Sequence, residues 1–222
     1  MKIKFCGFTN QTDVLEAIEM PIDYLGFIVA ARSSKRLISL KEGVRLAEIV
    51  KTESNKKTVA VVVDADPKML KEIVNSGVFD IIQFHGQETP EMCLIFKGKI
   101  EVWKAFNILN NSNNIDNFQK YKICIDKVIF DLPKENFANY DPEKRLNSYK
   151  RMSQTNIPII LAGGLNPQNI YQKILTYKPF GVDLSSGIES TAGKKDPLKM
   201  KQFIIEVLRA QKELGRNGNI DK

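Results

Sequence analysis

Cysteine is scarce in this chain: three residues in 222, at positions 6, 93 and 124. An odd count with no close pair argues against a disulfide framework and against a zinc site. Long apolar runs are absent as well. None reaches the roughly 18 residues that a membrane span requires, so no membrane partner is expected. The N-terminus Met1-Lys2-Ile3-Lys4 leads straight into a strand pattern, with no signal-peptide core, and a cytoplasmic address is the expectation. Also missing is a basic block. The formal net charge is +7, yet the lysines are spread over nearly every helical stretch, and the densest pairs are only Lys56-Lys57 and Lys194-Lys195. Without basic runs interleaved with aromatics, nucleic acid is a poor candidate partner. A solvated surface with mild attraction for phosphorylated metabolites fits better.

What is present is alternation. With 43% hydrophobic residues, the length suits one domain with a sizeable core. Short β-branched runs predict strands over 3–6, 24–29, 58–63, 80–85, 100–106, 127–131, 157–162 and 181–185. They are continuously apolar, as parallel strands buried on both faces are. Helices are predicted over 11–20, 41–51, 67–76, 167–176 and 197–213, three of them opening on proline, which the first turn tolerates because its N–H is unpaired anyway. Eight strands with intervening helices predict a single α/β domain, a (β/α)8 TIM barrel over residues 1–214. A doubly wound open sheet usually has fewer strands and a glycine-rich turn after the first. The run Asn110-Asn111-Ser112-Asn113-Asn114 reads as a polar loop, and 215–222 as a polar tail. Cys93, in an apolar helical stretch, and Cys124, ahead of a strand, read as inert core thiols.

In such a barrel the residues at strand C-termini face the active site. That gathers Cys6-Gly7-Phe8-Thr9, Arg32 to Arg36, Asp64, His85-Gly86-Gln87-Glu88, Asp131, Gly163-Gly164 and Ser185-Ser186-Gly187 at one mouth. A thiol closing the first strand and a carboxyl closing the sixth offer a proton acceptor and a proton donor, which suggests an acid–base isomerase. Gly163 and Gly164, followed by a helix, let backbone N–H groups approach an anion. Ser185, Ser186 and Gly187 add hydroxyls and bare backbone at the next strand end. Together these loops form the expected phosphate cradle.

These segments resemble a known family. Lys4-Phe5-Cys6-Gly7-Phe8-Thr9, Gly26-Phe27-Ile28 with Ser33-Ser34-Lys35-Arg36, Gln83-Phe84-His85-Gly86-Gln87-Glu88, Leu161-Ala162-Gly163-Gly164-Leu165, and Val182-Asp183-Leu184-Ser185-Ser186-Gly187-Ile188-Glu189 with Gly193-Lys194-Lys195-Asp196 are similar, in order, to motifs of phosphoribosylanthranilate isomerase from tryptophan biosynthesis. The resemblance implies an Amadori rearrangement of N-(5-phosphoribosyl)anthranilate without metal or cofactor, by a monomer or homodimer. It implies Asp131 as the acid that opens the furanose and Cys6 as the base at ribose C2. It gives Arg36 the anthranilate carboxylate, with a surface arginine beside Lys35 as the plain alternative. Asp183 would bond a ribose hydroxyl or orient the loops. His85, the single histidine, reads as a satisfied structural residue because the acid and base roles are filled. An unperturbed thiol is only a few per cent ionised at neutral pH, so Cys6 needs a local positive field. Lys4 alternates onto its face of the strand but lies low.

One stretch departs from the family pattern. After Asp131 the family carries a glycine-rich segment; here 132–141 contains no glycine, and Pro133 stiffens the strand exit. Asn136, Asn139 or Tyr140 would have to replace its backbone contacts. Two other readings stay open. One is a related phosphosugar isomerase, against which Cys6 speaks because the histidine-pathway type has a carboxylate there. The other is a barrel that binds a phosphometabolite without turning it over.

Overall fold

The computed structural model describes residues 1–107, 117–132 and 141–217. Eight parallel strands, β1 (Lys2–Cys6), β2 (Tyr24–Ala30), β3 (Lys57–Val62), β4 (Ile81–Phe84), β5 (Glu101–Asn107), β6 (Lys127–Asp131), β7 (Ile159–Ala162) and β8 (Gly181–Leu184), close into a barrel in chain order. Closure is made by β1 against β8, in the register Lys4 opposite Asp183. Around it pack α1 (Gln11–Ile18), α2 (Leu40–Glu53), α3 (Pro67–Asn75), α4 (Pro90–Phe96), α5 (Pro142–Ser153), α6 (Ile170–Tyr177) and α7 (Pro197–Asn217), with a helical stub at 117–119 between β5 and β6.

The period-two alternation of the strands sorts their side chains into two cores. Ile3 and Phe5 point outward, where Phe5 meets Phe203 of α7 edge-on with centroids 6.1 Å apart. Inside the barrel, Cys6, Val59, Val61, Ile81, Ile129 and Ile160 form a second cluster, and Tyr24 packs edge-on against Trp103 within it, centroids 5.0 Å apart. Side-chain oxygens cap the starts of six helices: Asn10 for α1, Ser39 for α2, Asp66 for α3, Thr89 for α4, Asp141 for α5 and Asp196 for α7.

Three expected boundaries move. α6 starts at Ile170, because the Asn166 carbonyl group of its side chain accepts from the N–H groups of Gln168 and Asn169 and holds 167–169 as a turn. α7 continues to Asn217, so 215–217 of the expected tail are helical. The segment after β8 is structured: a 3-10 turn (Ser186–Ile188) leads into an antiparallel hairpin, β9 (Glu189–Thr191) and β10 (Lys194–Lys195), which the sequence pattern did not announce. The polar loop 110–114, and Pro133, Asn136, Asn139 and Tyr140 of the glycine-free segment, lie outside the described residues.

Candidate active site

At the C-terminal mouth a cavity of about 220 Å³ is lined by Cys6, Ile28, Arg36, Val61, Gln83, His85, Asp131, Ala162, Gly163, Gly164, Leu165, Asp183, Leu184, Ser185 and Ser186. Of the residues given a catalytic or substrate-binding role from the sequence, only Gly187 is not among them; Gly7, Phe8, Thr9, Arg32, Asp64, Gly86, Gln87 and Glu88, also expected at this mouth, do not line it. A Cβ on Gly187 would lie 2.0 Å from the Leu165 carbonyl oxygen, so this glycine lets the loops after β7 and β8 touch. Gly163 has φ +85°, and a Cβ there would meet the Leu132 carbonyl oxygen at 1.8 Å, which only glycine avoids. The Ser185 hydroxyl is buried with no partner among the described residues.

The β1/β8 seam holds a buried charge network. Lys4 is fully buried, and its ammonium donates to both Asp183 carboxylate oxygens at 2.9 Å. Gly26, opposite Cys6 in the β1/β2 register, makes room: a Cβ there would stand 2.8 Å from Cys6 Sγ and 3.1 Å from Lys4 Nζ. Burial would lower the Lys4 pKa, but Asp183 and Cys6 outweigh it and hold the ammonium above its ordinary range. For Cys6 burial is the larger influence. It pushes the thiol up, while Lys4 and, more weakly, Lys195 pull it down and Asp183 adds to the rise. A positive field therefore reaches the thiol from Lys4, whose low position in the strand is offset by the reach of its side chain, but burial outweighs it and leaves the thiol above its ordinary range.

The hairpin after β8 extends this network. Glu189 accepts from Arg36 Nε at 2.7 Å and Nη2 at 2.5 Å, and from Lys195 Nζ at 3.0 Å. Lys195, with its side chain fully buried, also donates to the Cys6 carbonyl at 2.6 Å. Burial drives the Lys195 pKa below its ordinary value against the pull of Glu189. Glu189 in turn lies below its usual range, because Arg36 and Lys195 overcome the effect of burial. Arg36 is thus no stray surface arginine: its fork is clamped on one edge and its side chain lines the cavity.

The acid side is different. Asp131 Oδ2 lies 3.2 Å from His85 Nε2, and His85 Nδ1 lies 3.0 Å from the Gln83 side-chain nitrogen. His85 lines the cavity and stands beside the expected acid. Gln83, Glu189 and Lys195 have no role assigned from the sequence, where Lys4 figures only as a candidate source of field for Cys6. For Gln83 the inward alternation with His85 is a usable sign; Lys4 and Glu189 depend on Asp183 and Arg36, far along the chain, and Lys195, though six residues from Glu189, also reaches the Cys6 carbonyl 189 residues away.

The fold and the cavity have counterparts. The family model described as N-(5'phosphoribosyl)anthranilate (PRA) isomerase matches residues 3–206. An N-(5'-phosphoribosyl)anthranilate isomerase of Thermoanaerobacter pseudethanolicus is 35% identical over 208 residues, 93% of this chain and 98% of the relative. Among solved structures, monomers generated from the dimeric phosphoribosylanthranilate isomerase of Thermotoga maritima superpose with a TM-score of 0.77 at 30% identity, over 93% of this chain and 97% of the other. A phosphoribosylanthranilate isomerase in complex with reduced 1-(o-carboxyphenylamino)-1-deoxyribulose 5-phosphate matches with a TM-score of 0.77 at 30% identity, over 92% and 96%.

Proposed function

The chain belongs to the N-(5'-phosphoribosyl)anthranilate isomerase family and is an isomerase of tryptophan biosynthesis, and we propose that Cys6 and Asp131 divide the chemistry of its Amadori rearrangement. Asp131, protonated, gives its proton to the furanose ring oxygen as the bond from that oxygen to C1 breaks and the anthranilate nitrogen lone pair closes the C1=N iminium. The Cys6 thiolate then removes the C2 proton. The electron pair left behind forms the C1=C2 enolamine, and tautomerisation, with a proton to C1 and one lost from the C2 hydroxyl, gives the ketone. A general acid and a general base each contribute about 10²–10⁴-fold to such steps.

The observation that carries this division is that a thiol beside an ammonium and a carboxyl beside an amide–imidazole pair line one cavity. A thiolate is favoured by the neighbouring Lys4 charge. Arg36, clamped through Nε and Nη2, keeps Nη1 for the planar anthranilate carboxylate. Gly163, Gly164, Ser185 and Ser186 are assigned the phosphate, supported by the unpartnered Ser185 hydroxyl, and Gly187 keeps their loops in contact. Asp183 holds Lys4 and faces the substrate ribose. The proposal includes a single catalytic domain of residues 1–214 with 215–222 as its tail, a phosphorylated small-molecule substrate, no nucleic-acid partner, a monomer or homodimer, a cytoplasmic address and no cofactor. Among the described residues no helix is long and apolar enough to cross a membrane.

The test is the loss of anthranilate fluorescence from freshly generated phosphoribosylanthranilate, corrected for spontaneous hydrolysis. Wild-type protein is expected to turn over, and Cys6→Ala and Asp131→Asn to lose at least 10²-fold in kcat. A folded Cys6→Ala or Asp131→Asn protein with near wild-type kcat would overturn that residue's assignment.

A further inference from the structure

Gln83, His85 and Asp131 form a file across the cavity whose geometry constrains where protons sit. Gln83 is 1% exposed, and of its two amide ends only the nitrogen has a partner, the His85 ring at Nδ1; its oxygen is buried without one among the described residues. An amide nitrogen only donates, so Nδ1 must accept, and a neutral ring must then carry its hydrogen on Nε2. That Nε2–H points at Asp131 Oδ2, 3.2 Å away. The other carboxyl oxygen, Oδ1, lies toward the loop after β7, 2.6 Å from where a Gly163 Cβ would stand. Backbone anchors the ring from below, with the His85 N–H donating to the Val62 carbonyl at 2.8 Å.

We propose that Gln83 and His85 are positioning residues that aim the Asp131 proton: Gln83 sets the imidazole tautomer, the ring occupies Oδ2, and Oδ1 is left to carry the proton that reaches the substrate. With the opposite tautomer, Nε2 would accept, and the Asp131 proton would be spent in a hydrogen bond to the ring, facing away from the furanose oxygen. The inference rests on Asp131 as the acid and goes beyond it, because it assigns work to two residues that need not touch the reacting atoms.

His85 is the only histidine in the chain, so an untagged protein labelled with ¹⁵N-histidine gives one imidazole spectrum with nothing to assign. At a pH of about 8, well above the ordinary histidine pKa, the wild-type ring is expected to show a protonated Nε2 and a bare Nδ1. Gln83→Leu should scramble that pattern and lower kcat about tenfold with KM nearly unchanged. His85→Gln, whose amide nitrogen can stand at the Nε2 position, should retain more kcat than His85→Ala. A wild-type ring protonated at Nδ1 would overturn the proposal without any variant. So would a folded Gln83→Leu protein whose tautomer changes while kcat does not. Asp131→Asn separates the two levels: turnover in that variant, with the wild-type ring protonated at Nε2, would remove the acid assignment while leaving the tautomer lock standing.

Discussion

The two sides of the cavity are built on opposite electrostatic plans. Around Cys6, at the β1/β8 seam, lie three cationic side chains, Lys4, Lys195 and Arg36, each fixed by a buried carboxylate of Asp183 or Glu189. Around Asp131 lie an amide and an imidazole, and the histidine and aspartate side chains are about a third and a quarter exposed. The difference suits the roles proposed for the two groups. A base must reach its charged form, which buried cations favour. An acid must hold its neutral form, which a fixed cation would oppose.

The most damaging way to break it is to give the acid side a permanent cation. His85→Arg should hold Asp131 ionised and lower kcat by about 10²–10⁴-fold, the whole contribution of a general acid; steady-state kinetics on fluorescence loss check this. Next comes removal of the cation from the base side. Lys4→Met leaves Asp183 buried and unpaired, which costs about 3–5 kcal/mol in denaturant unfolding, and the Cys6 thiol should need higher pH to react with iodoacetamide. The reading is clean because Cys93 and Cys124 are almost wholly inaccessible, and burial pushes the Cys93 thiol up to about 12. Lys4→Met/Asp183→Asn should regain stability without regaining thiol reactivity, whereas recovery of both would mean that Lys4 only fills space.

A milder test loosens the clamp on Arg36. Glu189→Gln weakens three charge-assisted bonds, two of them to Arg36, and KM should rise about tenfold, equivalent to about 1.4 kcal/mol, with a smaller change in kcat. An unchanged KM would detach Arg36 from the anthranilate carboxylate. The smallest effect is on acid stability. The folded-state pKa of Glu189 lies below its ordinary 4.5, so the folded protein binds fewer protons there than the unfolded chain. The stabilisation is complete above 4.5 and lost as pH falls through the folded value. Denaturant midpoints measured from pH 6 downward should therefore fall less steeply in Glu189→Gln than in the wild type.

Much of this molecule can be read from its sequence, and what cannot has a common cause. The eight strands announce themselves because a parallel strand buried on both faces is a local apolar run. The outlying helix α5 does not, because only Arg145, Tyr149 and Met152 of its twelve residues are buried. Cys6, Asp131 and the glycines after β7 stand out because strand ends in a barrel converge on one mouth. The roles of Lys4 and Glu189 do not stand out, since each depends on a partner far along the chain: Lys4 on Asp183, 179 residues away, and Glu189 on Arg36, 153 away. A lysine inside an apolar strand looks like an error of patterning until its counterion is known. The surroundings of His85 are hidden for a related reason. Its value lies in Gln83 two residues earlier and in Asp131 across the barrel, and only the first is local.

The pairing of Lys4 with Asp183 also sets a condition on how the chain is made. Synthesis delivers residue 4 first and residue 183 only 179 positions later, which at roughly 5–20 residues per second takes about 10–35 s. Throughout that wait the first strand carries a cation it cannot hide, so it has reason to stay wet while its neighbours collapse. Strand β8 brings the counterion, and in one event pairs that lysine and closes the barrel beside the Cys6 thiol.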